Sequence, residues 1–376
     1  MLITHIITGL NDGGAEAILY RLCLHDATRN THVIISLMDE GKYGSLLETA
    51  GIQVHYLRMP QGKIRFTVFA ALLTLLRRLQ PDAVQCWMYH ANLIGGLVAK
   101  FAGIGKVFWG IHHSSFTDSK RTTVLTSRLC ALLSSVLPQK IVFCSKNSTV
   151  IHKQQGYKSE KFVVIANGYD IVTFSPDSKA RQVFRHECGL DDSLFVIGMA
   201  ARFHPMKDHR NLLAALAFVR KSVKDFHCLL AGTGINQQNA ALTKKIEQLE
   251  LQDKTTLLDR RNDIPAFMNA IDLYICSSSS GEAFPNVLAE AMACRTPCVT
   301  TDVGDAALIV GETGWVVPPR NPEALAEAIL AAMAEKKNAM AAWQKRKQAA
   351  RERIAEHFTL QKMIDSYTTI WEASMK

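Results

Sequence analysis

Two basic side chains in the second half of the chain follow a predicted strand and could act on an anionic ligand. Arg202 and Lys207 come after the predicted strand Leu194–Met199, on a segment that leads into a helix. An arginine can bind phosphate oxygens bidentately, and a lysine supplies a mobile positive charge. Together they could neutralise a diphosphate leaving group. The alternative interpretation is a pair of solvated surface cations.

Two carboxylates follow the predicted strand Leu273–Cys276. Glu282 lies on a predicted loop, and Glu290 lies more than one turn into the next helix, where it can accept hydrogen bonds from two vicinal ribose hydroxyls. The start of that helix, near Asn286, offers unbonded N–H groups to an anion. The alternative interpretation places Glu290 on the helix surface and Phe284 in the core.

The first half of the chain has two further candidates after predicted strands. Gly13 and Gly14 precede the first helix, where glycines let backbone N–H groups approach a phosphate, although a tight turn without a ligand explains them equally well. His112 and His113 follow the predicted strand Lys106–Ile111, and a neutral imidazole there can bind a sugar hydroxyl or share a proton. We expect His112 to face the ligand, with His113 as second choice and a polar loop histidine as the alternative.

The remaining motifs are weaker, and several are absent. Gly232 follows a strand and permits a close backbone approach, whereas Arg260 is better explained as a surface loop residue. The chain has no Asp-x-Asp triplet, the usual ligand set for a metal-assisted diphosphate leaving group, so we expect no metal and no cofactor. The lack of a Gly-x-Gly-x-x-Gly turn disfavours a dehydrogenase.

These residues require two sheets to position them. Strands alternate with helices through both halves, which is typical of parallel βαβ units, and the turn-rich segment Asn167–Lys179 interrupts the alternation. We therefore predict an α/β protein with two Rossmann-like domains, 1–170 and 171–357, that face each other across a cleft. Ligands bind at the carboxyl ends of strands in such sheets, so the cleft is the expected site.

The predicted last helix, Leu360–Ser374, has an apolar face. Met363, Tyr367 and Trp371 recur on it at four-residue spacing. Such a face needs a partner, and we expect the terminal segment 358–376 to pack back on the first domain.

Composition limits the possible partners. The 376 residues carry a net charge of +9, which favours nucleotide phosphates, nucleic acid or anionic lipid. The basic segment Lys336–Arg353 has helical spacing typical of a solvated helix, so we expect no nucleic-acid partner.

Nine cysteines without a Cys-x-x-Cys pair indicate a reducing compartment. With no signal peptide and no apolar run of about 18 residues, we expect a cytoplasmic protein with a possible peripheral contact on the inner face of the plasma membrane.

Several strings of the chain resemble glycosyltransferase family four, retaining enzymes of the GT-B fold. They are GGAE at 13–16, ANGYD at 166–170, ARFHPMKDHRNLL at 201–213, LAGTG at 230–234 and DIPAFMNAIDLYICSSSSGEAFPNVLAEAMACRTPCVTTDVG at 263–304. The resemblance spans nearly the whole chain. It is greatest to bacterial enzymes that build lipopolysaccharide O-antigen, capsule or exopolysaccharide.

The resemblance implies two groups of residues around one donor molecule. Those near the reacting atoms would be His112, Arg202, Lys207 and Glu282. Those that bind the rest of the donor would be Gly13, Gly14, Gly232, Arg260, Phe284, Pro285, Asn286, Val287 and Glu290, where the stretch 284–287 would present backbone amides.

Within this scheme each catalytic candidate has its own task. Arg202 and Lys207 would hold the diphosphate, and Glu282 would contact the sugar ring. His112 would lie near the transferred sugar, and Glu290 would bind the ribose. The chain departs from the family in having Gly-Glu-Ala at 281–283 for a more usual Glu-Gly pair, and an aspartate at 259 where glycine is common.

The resemblance implies a metal-independent hexosyl- or N-acetylhexosaminyl-transferase. It would move a sugar with retention from a nucleotide diphosphate, UDP first among them, to a glycan or undecaprenyl-diphosphate-linked saccharide in cell-surface polysaccharide synthesis. Two alternatives stay open. A sugar-nucleotide 2-epimerase of the same fold would convert the donor without an acceptor, and a non-catalytic binding protein would bind UDP but release none from a donor.

Overall fold

The protein folds into two compact units, each built on its own parallel sheet. The computed structural model describes residues 1–60, 65–114, 116 and 121–373. The first unit comprises Met1–Gly168 with Leu360–Lys376, and the second comprises Tyr169–Thr359. No strand is shared between the two sheets described. This confirms the predicted pair of Rossmann-like sheets.

The first unit contains a seven-stranded sheet of short apolar strands. They are β1 (Leu2–Ile7), β2 (Thr31–Ser36), β3 (Gln53–Tyr56), β4 (Ala83–Trp87), β5 (Val107–Ile111), β6 (Lys140–Phe143) and β7 (Phe162–Val164). Their order is β3-β2-β1-β4-β5-β6-β7, and all neighbours pair in parallel. The sequence predicts the first six to within two residues at either end, as Leu2–Thr8, Thr31–Met38, Gln53–Leu57, Pro81–Trp87, Lys106–Ile111 and Lys140–Cys144. The seventh strand, β7, was not predicted from the sequence.

Six helices of the first unit connect these strands. They are α1 (Gly14–Asp26), α2 (Gly41–Thr49), α3 (Phe66–Leu79), α4 (Met88–Phe101), α5 (Arg121–Leu133) and α6 (Lys146–Gln154). Helices α3, α4 and α5 bury apolar side chains against one face of the sheet, and α1 and α2 cover the other. Ile64, the predicted first residue of α3, lies outside the described residues.

The second unit has a six-stranded sheet with the order β10-β9-β8-β11-β12-β13. Its strands are β8 (Phe195–Ala200), β9 (Phe226–Ala231), β10 (Thr255–Leu257), β11 (Leu273–Cys276), β12 (Cys298–Thr301) and β13 (Trp315–Val317). Its helices are α7 (Ser178–Glu187), α8 (His209–Ser222), α9 (Ala240–Gln248), α10 (Ile264–Ala270), α11 (Asn286–Ala293), α12 (Ala306–Val310), α13 (Pro322–Asn338) and α14 (Met340–His357).

The structure corrects two helical predictions in the second unit. Helix α7 begins inside the segment that was predicted as a linker, and Asp177 caps it by accepting a hydrogen bond from the Ala180 N–H at 2.9 Å. The sequence predicts a long helix over Pro322–Lys337, which α13 confirms, and a helical, alanine-rich stretch over 324–350. That stretch breaks at Ala339, whose φ of −142° and ψ of 57° are not helical and separate α13 from α14.

The last helix, α15 (Leu360–Ala373), belongs to the first unit, as predicted. Met363, Tyr367 and Trp371 are at most 2% exposed and join the core on the α1 side of the sheet. Ser374, the predicted last residue of this helix, lies outside the described residues. In the described part of the chain, no helix is both long and apolar enough to cross a bilayer.

A buried ion cluster fixes the edge of the second sheet where β8 and β11 begin. The Asp272 carboxylate accepts from Arg181 at 2.9 Å, Arg185 at 2.8 Å and Lys336 at 2.9 Å, and from the Val196 N–H at 2.9 Å. Burial raises the pKa of Asp272, but the three cations and the N–H outweigh it, so the net pKa is lowered. One carboxylate thus joins α7 and α13 to the sheet.

We predict that Asp272→Ala lowers the free energy of unfolding by about 3–5 kcal/mol, because it leaves buried cations without their counter-charge. Chemical denaturation followed by circular dichroism measures this loss. The control is Asp253→Asn, which removes an exposed carboxylate paired with Lys254 at 3.7 Å and should change stability by no more than about 0.5 kcal/mol. Equal stability of the two variants would contradict the cluster's structural role.

Candidate functional site

The loops that follow β8 and β11 lie side by side at the carboxyl edge of the second sheet. Strand β8 has β9 on one side and β11 on the other, so the chain changes direction across the sheet at this point. Ligands of open α/β sheets bind at such a switch point. The Ser279 N–H donates to the Met206 carbonyl at 2.8 Å, and the Ser277 hydroxyl donates to the Lys207 carbonyl at 2.9 Å. These bonds join the two loops.

An ion pair between Lys207 and Glu282 connects the same loops through their side chains. The Ser278 hydroxyl donates to the same carboxylate oxygen, Oε1, at 2.6 Å. The Lys207 side chain is 25% exposed and that of Glu282 is 12% exposed, so water screens the pair only partly. Burial lowers the pKa of Lys207, but the charge and hydrogen bond of Glu282 raise it more, and the net shift is upward. Lys207 therefore stays a cation at neutral pH.

Arg202 lies on the same loop as Lys207 and is exposed. Its positive charge lowers the pKa of Lys207, so the two cations act on each other electrostatically. In the described portion of the chain, Arg202 has no ion-pair partner. The predicted grouping of Arg202, Lys207 and Glu282 is thus present at one edge of the sheet.

Two glycines shape the Glu282 loop. Gly281 has a φ of +77°, and a Cβ there would lie 1.6 Å from the Met206 Cε atom. Gly304 has a φ of +63°, and a Cβ there would lie 2.1 Å from the Glu282 carbonyl oxygen. Both positions favour glycine for conformation, and Gly304 also needs it for space because the atom in the way belongs to the backbone. In the sequence Gly304 is only the last residue of the string at 263–304, with no role assigned to it. The structure places it directly against Glu282.

Helix α11 presents the next set of predicted residues. Glu290 is buried within it, and the Asn286 side-chain oxygen accepts from the Tyr169 hydroxyl at 2.5 Å. Phe284 is buried and stacks on Tyr169 with ring centroids 6.3 Å apart. Pro285 has no N–H, so the predicted row of backbone donors at 284–287 is corrected to three residues.

The loops after β9 and β10 support each other. Gly232 has a φ of +141°, a Cβ there would lie 2.1 Å from the Ala201 carbonyl oxygen, and its N–H donates to the Asp259 carbonyl at 2.7 Å. Asp259 has a φ of +49°, in the left-handed region that favours glycine. Asp259 therefore has a backbone conformation that suits glycine, the residue that is common at this position. The Arg260 side chain is exposed.

In the first unit, two predicted residues mark the start of α1. Gly13 caps the helix with an extended backbone, so a positive φ does not explain this glycine. A Cβ there would lie 2.3 Å from the Glu16 carboxylate, so Gly13 leaves room for that side chain. Gly14 is the first helical residue and is exposed.

His112 follows β5 and stacks on Trp87, the last residue of β4. The ring centroids are 5.3 Å apart and the rings are inclined by 23°. Burial lowers the pKa of His112 to about 4, so its imidazole is neutral at pH 7. Its buried Nε2 has no hydrogen-bond partner among the residues that the structure describes. Sequence reasoning missed Trp87, although its place at the end of the strand next to β5 was a usable signal.

We predict that Gly304→Ala costs at least about 2 kcal/mol more stability than Gly189→Ala, measured by chemical denaturation. Gly189 has nearly the same φ, +65°, but nothing lies within 4 Å of a Cβ placed there. Both variants carry the strain of a left-handed alanine, about 1–2 kcal/mol. Only Gly304→Ala must also displace the Glu282 backbone. Equal losses would show that the loop yields without cost.

Two family models match the chain, one in each unit. The model described as Glycosyltransferase Family 4 matches residues 12–172, and that described as Glycosyl transferases group 1 matches residues 180–352. EpsF of Bacillus subtilis (strain 168) is 23% identical over 308 residues, which make up 80% of this chain and 79% of EpsF. The UDP-Gal:alpha-D-GlcNAc-diphosphoundecaprenol alpha-1,3-galactosyltransferase of Escherichia coli is 23% identical over 247 residues, 64% of this chain and 63% of that enzyme.

Solved structures share the fold over the full length. The crystal structure of Anabaena Alr3699/HepE in complex with UDP superposes with a TM-score of 0.88 at 22% identity and covers 99% of this chain and 100% of HepE. The complex of HepE with UDP-glucose gives a TM-score of 0.86 at 22% identity over the same shares of the two chains. With a Family 4 domain in its first unit and a group 1 domain in its second, the chain belongs to the family 4 glycosyltransferases of GT-B fold.

Proposed function

We propose that the protein transfers a sugar from a nucleotide diphosphate to a saccharide acceptor, with retention of the anomeric configuration and without a metal. The observation that supports this most directly is the grouping of Arg202 and the Lys207–Glu282 pair at the switch point of the second sheet. A diphosphate that leaves the sugar gains negative charge, and fixed cations stabilise that charge in the transition state. Glu282 holds Lys207 in place and keeps it protonated.

In the proposed reaction the bond between the anomeric carbon and the donor phosphate oxygen breaks. The acceptor hydroxyl oxygen forms the new bond on the same face of the sugar. Its proton passes to the departing phosphate oxygen, so no separate base is required. Arg202 and Lys207 bind the phosphate oxygens, as the geometry of a guanidinium and an ammonium allows.

The other candidate residues bind the remainder of the donor in this proposal. Glu290 accepts hydrogen bonds from the ribose, the N–H groups at the start of α11 face the donor, and Gly14 contacts its phosphate. His112 contacts the transferred sugar through its partly buried, neutral imidazole. We propose UDP as the nucleotide because the Anabaena neighbour was solved with UDP and UDP-glucose. We propose a lipid-diphosphate-linked saccharide as acceptor because the Escherichia coli relative acts on one.

We predict that replacing both Arg202 and Lys207 with alanine lowers kcat at least about 100-fold, since groups that stabilise developing charge contribute on this scale. The assay is nucleotide release from a panel of UDP-sugars with lipid-linked saccharide acceptors. The control is Arg210→Ala, which removes a nearby exposed cation outside the proposed site.

Near wild-type turnover in the double variant would refute the proposed role of the cations. Conversion of the wild-type donor into its C2 epimer without acceptor would instead support the epimerase. Binding of UDP with no release from any donor would support a non-catalytic protein.

We further propose that the first unit contacts anionic lipid at the inner face of the plasma membrane, where such an acceptor resides. The net positive charge of the chain is concentrated in this unit: residues 49–159 contain fourteen lysines and arginines but only two acidic residues, Asp82 and Asp118. The remainder of the chain has a small excess of acidic residues. A cationic surface attracts anionic headgroups by about 1 kcal/mol per basic residue near the membrane.

Helix α5 combines this charge with exposed apolar side chains. Cys130 packs into the core beneath α5, whereas Leu125, Leu129 and Leu132 form an exposed stripe, with Leu132 76% exposed. Arg121 and Arg128 flank the stripe on the same side and are also exposed. Apolar side chains next to cations are typical of helices that lie in a membrane interface.

We predict that the protein co-sediments with phosphatidylglycerol vesicles at low salt and much less with phosphatidylcholine vesicles or at high salt. Arg121→Glu with Arg128→Glu should weaken binding at least tenfold. The matched control reverses two exposed lysines of the second unit, Lys244→Glu with Lys345→Glu. Equal vesicle binding by the two double variants would contradict a lipid-binding surface at α5. Self-association through the leucine stripe without vesicle binding would contradict it as well.

A further inference from the structure

Four buried side chains of the first unit form one continuous chain of hydrogen bonds. The Trp87 indole nitrogen lies 3.1 Å from His5 Nδ1, His5 Nε2 lies 2.9 Å from His32 Nδ1, and His32 Nε2 lies 3.1 Å from Asp26 Oδ2. Asn30 also donates to Asp26 Oδ2, at 2.8 Å. The chain runs from α1 through β2 and β1 to the end of β4.

The polarity of this chain follows from its first member. An indole N–H can only donate, so His5 Nδ1 must be an acceptor and His5 Nε2 must hold the proton. That N–H donates to His32 Nδ1, so the proton of His32 is on Nε2 and is donated to Asp26. Both histidines are therefore neutral and each has one defined tautomer. Burial and the neighbouring His32 lower the pKa of His5 well below its usual value, which also indicates that His5 is neutral.

A metal ion is the competing explanation, because His5, Cys23 and His32 bring three ligand atoms within 4.8 Å of one another. A metal requires a ring nitrogen with a lone pair pointing to it. In this arrangement Trp87 occupies the lone pair of His5, and His5 occupies that of His32. Burial and the nearby Asp26 raise the pKa of the Cys23 thiol well above its usual value, which disfavours a thiolate ligand. The hydrogen-bond chain accounts for the cluster better.

The last helix closes this chain off from solvent. Trp371 packs on His5 and His32 with ring centroids 5.9 and 6.2 Å away, and Tyr367 packs on Trp87 at 5.9 Å. Trp87 also stacks on His112. The hydrogen bond to His5 holds the indole nitrogen of Trp87, and the packing of Tyr367 from α15 holds the orientation of its ring. His112 stacks on the indole that these two contacts hold in place.

We infer that Asp26, His32, His5 and Trp87 are positioning residues for His112. They orient the indole on which the imidazole stacks, and so hold His112 Nε2 toward the transferred sugar. An uncharged hydrogen-bond chain in which every donor points the same way has one low-energy arrangement. Such a chain is suited to holding a side chain in a fixed orientation. The inference rests on the proposed sugar contact of His112, but the residues involved do not touch the substrate themselves.

The test is a double-mutant cycle between Asp26→Asn and His112→Ala in the full-length protein, with kcat and KM measured for transfer. We expect Asp26→Asn to lower kcat about tenfold with KM unchanged within twofold. In the His112→Ala background it should have no further effect on kcat, because its influence passes through that ring. The control is Ser127→Ala, which removes buried hydrogen bonds of the first unit to Gln155 and Tyr157 away from the chain.

Additive effects of Asp26→Asn and His112→Ala, or an equal loss of kcat in Ser127→Ala, would overturn the inference and leave only a structural role. A wild-type protein with no transferase activity would refute the proposed function instead. Should Asp26→Asn fail to fold, nitrogen-15 spectra of histidine-labelled wild type give the second test. We expect the proton of His5 and that of His32 each on Nε2. A proton on His5 Nδ1 would refute the proposed hydrogen-bond chain. Stoichiometric zinc binding that Cys23→Ser abolishes would refute it as well.

Discussion

The ion pair between Lys207 and Glu282 is the interaction on which the site in the second unit depends. It joins loops that follow the two central strands of the sheet, and it places a protonated amine at their carboxyl edge. A partly buried cation is stabilised by a counter-charge close by, which Glu282 supplies. The carboxylate in turn depends on Ser278 for a hydrogen bond and on Gly304 for the path of its backbone. In our proposal Glu282, which the resemblance places against the sugar ring, also keeps Lys207 charged for the leaving group.

The two units support their candidate groups by different physical means. In the second unit charges face one another across short loops, so the site is held by Coulomb attraction and by glycines that permit close backbone approach. In the first unit the candidate His112 is neutral, and aromatic stacking with an uncharged hydrogen-bond chain holds it. The first arrangement suits a group that must meet a charged diphosphate. The second suits a group that contacts hydroxyls.

Local patterns predicted the sheets and the position of each candidate along the chain. Apolar runs identified the first six strands and, in the second sheet, β8 and β11, and the carboxyl-end rule placed Arg202, His112 and Glu282 on loops at strand ends. The contacts between distant residues could not be predicted in this way. Lys207 and Glu282 are 75 positions apart, and His5 meets Trp87 across 82 positions. Only the strand order, which a single sequence does not specify, brings such residues together.

A crystal structure of the protein with UDP would test the central claim most directly. The account predicts that Lys207 Nζ and the Arg202 guanidinium each lie about 3 Å from diphosphate oxygens, with Glu282 still paired to Lys207. A diphosphate bound elsewhere, with Arg202 turned to solvent and Lys207 bound to Glu282 alone, would contradict it.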